Sequence, residues 1–199
     1  MTDATPPHDA VRPPSPACPA GAAPQVSQVS QVSPMDGPVP SCLGDWSRSV
    51  VLLPTAAATR DLGRRLAGSL RAGDLVILSG ELGAGKTTLV QGIGAGLGVR
   101  GQVTSPTFVI ARTHPAARPG GVALVHVDAY RLDGLDQLDD LDLDTALENA
   151  VMVVEWGEGM AEALSPDRLE VHLERATGAR ADEHRLARLR GVGPRWAAA

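Results

Sequence analysis

The chain has 199 residues, a formal net charge of −5 at pH 7 and only 3% aromatic residues. An acidic chain does not coat nucleic acid by itself, because such binding depends on Lys and Arg that neutralise phosphates, and no stretch approaches the roughly 20 apolar residues that span a bilayer. Both cysteines, Cys18 and Cys42, lie near the start, so the sequence indicates no disulfide framework and no thiolate metal site, as is usual in a reducing compartment. We therefore expect a cytoplasmic protein with no membrane and no DNA partner.

Residues 1–45 are predicted to form a disordered tail rich in Pro, Ala and Ser. They hold 10 of the 16 prolines and no aromatic residue, so they cannot bury enough apolar surface to offset the entropy of ordering. The following residues, 46–192, suit one domain with a core of Leu, Val, Ile and Ala. We expect residues 193–199 to be a flexible C-terminus.

Short apolar runs and one-sided leucine repeats alternate along the first half of this domain. A continuous apolar run of four or five residues is typical of a strand buried on both faces of a parallel sheet. The predicted order is a strand at 49–54, a helix at 55–70 capped by Thr55, a strand at 75–78, and a helix at 86–97 ended at Gly98.

The second half predicts further strands and one acidic helix. A Pro-Gly-Gly turn near residue 119 indicates a hairpin, and clean alternation of polar and apolar residues near the end indicates another. The predicted order is a hairpin of 108–113 with 122–127, an acidic helix within 133–148, a buried strand at 150–154, and a closing hairpin of 168–174 with 184–190. This pattern predicts an α/β sandwich with a mostly parallel centre and antiparallel edge strands.

The segment from Gly80 to Thr88 carries the strongest functional signal. Its sequence, Gly-Glu-Leu-Gly-Ala-Gly-Lys-Thr-Thr, fills the G-x-x-x-x-G-K-[ST] pattern of the P-loop, with a predicted strand before it and a helix after it. Lys86 is the only lysine in the chain, and we expect its ammonium to bridge the β- and γ-phosphates of a nucleoside triphosphate while the Thr87 hydroxyl binds Mg²⁺. The fold is therefore predicted to be a P-loop NTPase-like three-layer sandwich. The nucleotide-binding residues expected from this segment are Gly83, Ala84, Gly85, Lys86, Thr87 and Thr88.

Two carboxylates follow predicted strands where a magnesium ion needs oxygen ligands. Glu155 ends the apolar strand 150–154, and Asp128 follows the strand 122–127. An ionised side chain in such a place is costly without a cation, so we interpret Glu155 and Asp128 each as a group that binds metal or activates water. The catalytic set expected on this basis is Lys86, Asp128 and Glu155, with either carboxylate orienting the attacking water. The alternative is that each carboxylate simply caps the next helix.

Other polar segments have plainer interpretations. The acidic run 133–148 does not match the spacing of a calcium loop and is read as a solvated helix face. His114 and His126 lack partners at ligand spacing and are expected to be structural or exposed, although His126 lies next to the predicted site. Trp156 is expected to pack on the sheet, with a place beside the nucleotide as the sharper alternative. The basic end from Arg175 onward is read as a solvated hairpin, with a partner or tRNA contact as the alternative.

Three other functions remain open from the residues. A P-loop small-molecule or nucleoside kinase would use arginines such as Arg112 and Arg118, although no lid-sized insertion is evident. A regulatory GTPase is disfavoured, because its guanine-selecting element needs a second lysine that this chain does not have. A module that senses ATP without useful hydrolysis would use the same residues as an ATPase.

Four motifs occur together in an order that resembles one family. They are Gly80–Thr88, Thr104-Ser-Pro-Thr-Phe108, His126-Val-Asp-Ala-Tyr-Arg131 and Val154-Glu-Trp156. The combination resembles TsaE (also called YjeE), the bacterial ATPase family of the tRNA threonylcarbamoyladenosine (t6A) pathway. The resemblance covers residues 50–173. Ala129 departs from it, because a leucine is usual at that position.

The resemblance implies a weak, partner-stimulated ATPase that binds ATP and Mg²⁺. It would act with TsaD-like and TsaB-like proteins, would reset that transferase between turnovers, and would touch tRNA only through the complex. By the same resemblance Thr87 and Glu155 would bind magnesium, Asp128 would lie beside it near the γ-phosphate, residues 104–107 would sense the nucleotide, and Thr107 would contact the γ-phosphate.

Overall fold

The computed structural model describes residues 48–132, 143–175 and 184–196. The predicted tail 1–45 and most of the predicted acidic helix lie outside the described residues. The strands are β1 (Arg48–Leu53), β2 (Leu75–Ser79), β3 (Ala111–His114), β4 (Ala123–Asp128), β5 (Ala150–Glu155), β6 (Arg168–Arg175) and β7 (Arg185–Val192). The helices are α1 (Ala56–Ala67), α2 (Lys86–Leu97) and α3 (Leu143–Asn149), with short 3₁₀ turns at Ala129–Arg131 and Ala161–Leu164.

The seven described strands form one mixed sheet with the order β1-β7-β6-β2-β5-β4-β3. The four central strands are parallel: β2 lies between β6 and β5, and β4 lies beside β5. The edges are antiparallel, because β3 pairs with β4, and β7 pairs with both β6 and β1. The predicted arrangement of parallel centre and antiparallel edges is therefore confirmed.

Helices cover both faces of the sheet and produce three layers. In β2, Val76 and Leu78 pack on the side of α1 and α2, whereas Leu75 and Ile77 pack on the side of α3. This alternation follows from the two-residue period of a strand, and it requires apolar residues at every position. The continuous run in the sequence is thus explained by burial on two sides, and none of the helices in the described ranges is long and apolar enough to cross a membrane.

Two expectations need correction. The predicted strand 108–113 begins only at Ala111, because the amide N–H groups of Val109 and Ile110 both donate to the Pro106 carbonyl and turn the chain. Ile110 has a φ of 65°, so a strand cannot pass through it. The side chain of Phe108 is consequently 85% exposed.

The second correction concerns the C-terminus. Residues 193–196 are packed, not free as expected: Trp196 is fully buried among the residues that face α1 and α2. Arg195 donates to both carboxylate oxygens of Asp74, at 2.9 and 2.8 Å, and to the Ser69 carbonyl at 2.8 Å. Only 197–199 of the expected free end lie outside the described residues.

Candidate functional site

The glycine-rich segment forms a curled loop between β2 and α2. Gly80, Gly83 and Gly85 have φ values of 127°, 74° and 107°, a region that other residues rarely adopt. At Gly80 a Cβ would also collide with the carbonyl oxygen of Leu173 in β6, so the loop is pinned against the neighbouring strand. The loop therefore presents its main chain at the N-terminus of α2, where the helix dipole is positive and anions bind.

Lys86 is the first residue of α2 and is only 5% exposed. Its ammonium donates to the carbonyl oxygens of Gly80 (2.7 Å) and Glu81 (3.0 Å), and it lies 3.6 Å from the centroid of the Trp156 ring. Burial lowers the pKa of Lys86 from its ordinary value of 10.5, and the negative charges of Glu155 and Asp128 partly offset this effect. The site thus holds a positive charge that is poorly solvated and ready to meet an anion.

Glu155 ends β5 directly beside the P-loop strand, where it pairs in register with Leu78 of β2. Its carboxylate is 3% exposed. The Thr87 hydroxyl lies 2.8 Å from Oε1 and 3.1 Å from Oε2, and the Nε2 atom of His126 lies 2.8 Å from Oε1. Thr87 and Glu155, predicted from separate parts of the sequence, are thus brought into direct contact.

Asp128 ends β4 opposite Glu155 in the sheet register. Its Oδ2 atom accepts from the hydroxyls of Thr107 (2.6 Å) and Ser105 (3.3 Å), while Oδ1 accepts from the Tyr130 amide (3.2 Å). The carboxylate therefore ties the loop of residues 104–107 to the end of the sheet. It also caps the following 3₁₀ turn, so the alternative expectation that Asp128 caps the next element describes one of its contacts.

These side chains share one cavity of about 330 Å³. Of the residues expected in the site, only Ala84 is not part of its lining, because its methyl group is fully buried in the core below the loop. Trp156, for which a place beside the nucleotide was the alternative expectation, lines the cavity. The lining residues are Leu82, Gly83, Gly85, Lys86, Thr87, Thr88, Ser105, Thr107, Asp128, Tyr130, Glu155 and Trp156.

The donor set fits magnesium. Thr87 and Glu155 offer hard oxygen atoms that already touch, and Mg²⁺ usually takes one or two protein oxygens together with phosphate oxygens and water. Within 48–132, 143–175 and 184–196, no group of three or more His, Cys, Asp or Glu side chains is arranged to hold a metal alone. A metal here would therefore depend on a bound phosphate, as in other P-loop sites.

Sequence reasoning placed His126 next to the site but assigned it no contact there. Its ring is completely buried, and its Nε2 atom contacts Glu155. His126 precedes Asp128 by two residues in β4, and strand residues two apart point to the same face of the sheet. That period was the signal available to place His126 beside the predicted carboxylates.

Exposed apolar side chains lie in the cavity lining and in the segment that directly follows it. Within the described residues, the large hydrophobic side chains that remain exposed are Leu82 (80%), Phe108 (85%), Val109 (55%) and Tyr130 (61%). Leu82 and Tyr130 line the cavity itself, and Phe108 and Val109 follow Thr107 directly. We call these four residues the apolar rim, and exposed apolar groups gathered in one place typically mark a contact surface.

Two arginines of the basic end are paired with acidic residues of their own hairpin. Arg188 donates to Glu174 at 2.8 Å, and Arg190 donates to Glu170 at 3.2 Å. The hydrogen bond from Arg188 is the main cause of the lowered pKa of Glu174. These pairs favour the interpretation of a solvated hairpin for this part of the chain.

Comparison with known proteins places the chain among related sequences. A family model for "Threonylcarbamoyl adenosine biosynthesis protein TsaE" matches residues 53–184. The chain is 64% identical over 141 residues to the tRNA threonylcarbamoyladenosine biosynthesis protein TsaE of Streptomyces coelicolor, covering 70% of this chain and 95% of that protein. It is 57% identical over 131 residues to the protein of the same name from Mycobacterium tuberculosis, covering 63% of this chain and 78% of that protein.

A solved structure agrees with this placement. The crystal structure of YdiB from Bacillus subtilis matches with a TM-score of 0.58 and 29% identity. The match covers 75% of this chain and 88% of that chain.

Proposed function

The chain belongs to the TsaE family of threonylcarbamoyl adenosine biosynthesis proteins, and we propose that it is a weak, Mg²⁺-dependent ATPase that supports tRNA t6A modification. In this proposal it does not transfer the threonylcarbamoyl group. It uses ATP hydrolysis in the cytoplasm to reset a transferase made of TsaD-like and TsaB-like proteins, and it meets tRNA only through that complex.

One observation carries the ATPase proposal: the contact between Thr87 at the start of α2 and Glu155 at the end of β5. A hydroxyl and a carboxylate joined at 2.8 Å beside a glycine loop form the oxygen pair that a nucleotide-bound magnesium needs. The lowered pKa of Lys86 points the same way, since a buried ammonium gains much from nearby phosphate oxygens. If Glu155 and Asp128 only capped the elements that follow them, no buried lysine would be required beside them.

The proposed chemistry is positioning and charge neutralisation. The main-chain N–H groups of residues 83–88 and the Lys86 ammonium would bind the β- and γ-phosphates, with Thr107 reaching the γ-phosphate. When bound, Mg²⁺ would neutralise charge on the phosphates, and Thr87 and Glu155 would hold it. Asp128 or Glu155 would accept a hydrogen bond from the attacking water and orient it. Trp156, which lies against Lys86, would help to exclude other water.

Direct calorimetry with ATP and Mg²⁺ tests this proposal. We expect the wild-type protein to bind ATP, and Lys86→Ala to lose measurable binding because the buried positive charge is gone. Glu155→Gln keeps the shape of the side chain and should retain the ATP binding that does not depend on Mg²⁺, but the gain in affinity from Mg²⁺ should shrink and hydrolysis should fall about 10²-fold or more because the carboxylate is lost. Absence of any binding heat from folded wild-type protein would refute the proposal, and full hydrolysis by Glu155→Gln would refute the role given to that residue.

The apolar rim supports the proposal that a partner docks over the nucleotide. No arginine among the described residues lines the cavity, and an arginine supplied by a partner could raise the rate roughly 10³–10⁵-fold. Exposed Phe108 and Tyr130 are suited to contact such a partner, because aromatic side chains are enriched in protein interfaces. The proposal therefore couples partner binding to ATP turnover.

Partner stimulation is tested by measuring ATP turnover with and without purified TsaD-like and TsaB-like proteins. We expect stimulation of the wild-type protein and of Phe108→Leu, which keeps an apolar side chain at the rim. Phe108→Asp should retain the slow basal turnover and lose most of the stimulation, because a charge is placed in the contact. Equal stimulation of Phe108→Asp and wild-type protein would show that the rim is not the docking surface.

A further inference from the structure

His126 is a buried polar residue to which no function has been assigned above. It lies in the middle layer of the protein on β4, its exposed fraction is 0%, and its Nε2 atom is 2.8 Å from Oε1 of Glu155. Its other ring nitrogen, Nδ1, is buried and has no hydrogen-bond partner among the described residues. A buried imidazole with one unpaired nitrogen stabilises the folded protein less than an apolar side chain of similar size would. The presence of His126 at this position therefore calls for an explanation.

The unpaired Nδ1 indicates which nitrogen carries the proton. If Nδ1 alone carried it, the lone pair of Nε2 would face Oε1 of Glu155 at 2.8 Å with no hydrogen between them, and a buried N–H donor would be left without an acceptor. The arrangement with the smaller cost has a proton on Nε2, donated to Oε1 of Glu155. In this arrangement the carboxylate oxygens of Glu155 accept hydrogen bonds from both His126 and Thr87.

Hydrogen bonds from two different elements, α2 and β4, hold the carboxylate. His126 holds Oε1 from within the sheet, and Thr87 approaches both oxygens from the start of α2. Rotation of the carboxylate about its last bond would break the bond to His126. The oxygens of Glu155 are therefore held in one orientation toward the cavity before any ligand arrives.

We propose that His126 is a positioning residue that orients Glu155 for magnesium and thereby sets how strongly Mg²⁺ and ATP binding reinforce each other. This inference rests on the proposed function, since it concerns the same site. A residue that orients a metal-binding side chain typically changes metal affinity about 10–100-fold when it is replaced. It should have little effect on the phosphate contacts made by the glycine loop and Lys86, which do not touch it.

The test measures the Kd of ATP by calorimetry twice, once with Mg²⁺ and once with EDTA. The ratio of the two values is the magnesium coupling, and it does not depend on hydrolysis. His126→Gln is the matched conservative variant, because its amide nitrogen can reach the position of Nε2 and donate to Glu155. His126→Leu has a similar volume and no donor, and His126→Asn has a donor that is too short to reach.

We expect His126→Gln to keep the coupling of the wild-type protein. His126→Leu should lose about tenfold or more of it while its Kd in EDTA stays unchanged. Should His126→Leu fail to fold, His126→Asn is expected to show the same selective loss. Wild-type coupling in a folded Leu or Asn variant would overturn the inference. An equal loss of ATP affinity with and without Mg²⁺ in the Gln variant would also overturn it, because that pattern indicates a merely structural role. Wild-type protein that binds no ATP would instead refute the proposed function itself.

Discussion

At the scale of single residues, Lys86 keeps its positive charge at a cost. Burial makes the folded protein a weaker base at this position than the unfolded chain, and the nearby Glu155 and Asp128 only partly compensate. In the alkaline range between the lowered pKa and the ordinary value of 10.5, the unfolded chain binds more protons. The contribution of Lys86 to stability therefore rises with pH in that range, and its destabilising effect is fully present at lower pH.

Phosphate oxygens should reverse this effect when ATP binds. They raise the pKa of Lys86, so binding in alkaline buffer is expected to take up protons, and ATP affinity should fall as pH rises through the lowered pKa. Calorimetry in two alkaline buffers with different heats of ionisation measures the uptake. Lys86→Arg is the control, since a guanidinium stays charged in this range and should take up none. A binding heat that is the same in both buffers for the wild-type protein would contradict this prediction.

At the scale of elements, local rules accounted for the centre of the site. The strand before the glycine loop, the loop and the start of α2 follow from an apolar run, three glycines in the left-handed region and a helix N-terminus. Thr55, the predicted cap of α1, accepts the Ala58 amide at 3.1 Å as expected. In such segments the preference of the chain and its tertiary contacts agree, so the sequence alone was informative.

The edge of the site could not be predicted in the same way. Phe108 and Val109 favour strands, yet they lie in a turn held by the Pro106 carbonyl and by the contacts of Ser105 and Thr107 with Asp128. Those contacts join residues more than 20 positions apart, so they are invisible to a local pattern. β propensity depends strongly on context, and here the tertiary contacts prevail over it. As a result the aromatic ring of Phe108 is exposed, and we propose that it contacts a partner as part of the apolar rim.

At the scale of the whole molecule, residues 193–196 connect the core beneath the sheet with the turn before β2. Arg195 forms a two-pronged hydrogen bond with Asp74 across 121 positions of the chain, and both side chains are nearly buried. Trp196 packs against Gly191 of β7, where a Cβ would meet it. This packing joins the end of the chain to the turn before β2, the strand that carries the glycine loop. No local signal in a short segment containing Gly, Pro and Arg predicted such a role.

Removal of this segment should therefore destabilise the entire domain. A chain that ends at Val192 loses the fully buried Trp196 and leaves Asp74 as a buried carboxylate without its guanidinium partner. Loss of a large buried aromatic side chain alone costs about 3–5 kcal/mol, and removing one partner of a buried ion pair costs a similar amount. A chain that ends at Trp196 is the matched control, because it keeps every contact described here. Urea unfolding should give a much lower midpoint for the chain that ends at Val192 and a near wild-type midpoint for the control. If both chains unfolded at the wild-type midpoint, the segment 193–196 would not be part of the stable core, and the original expectation of a free C-terminus would hold.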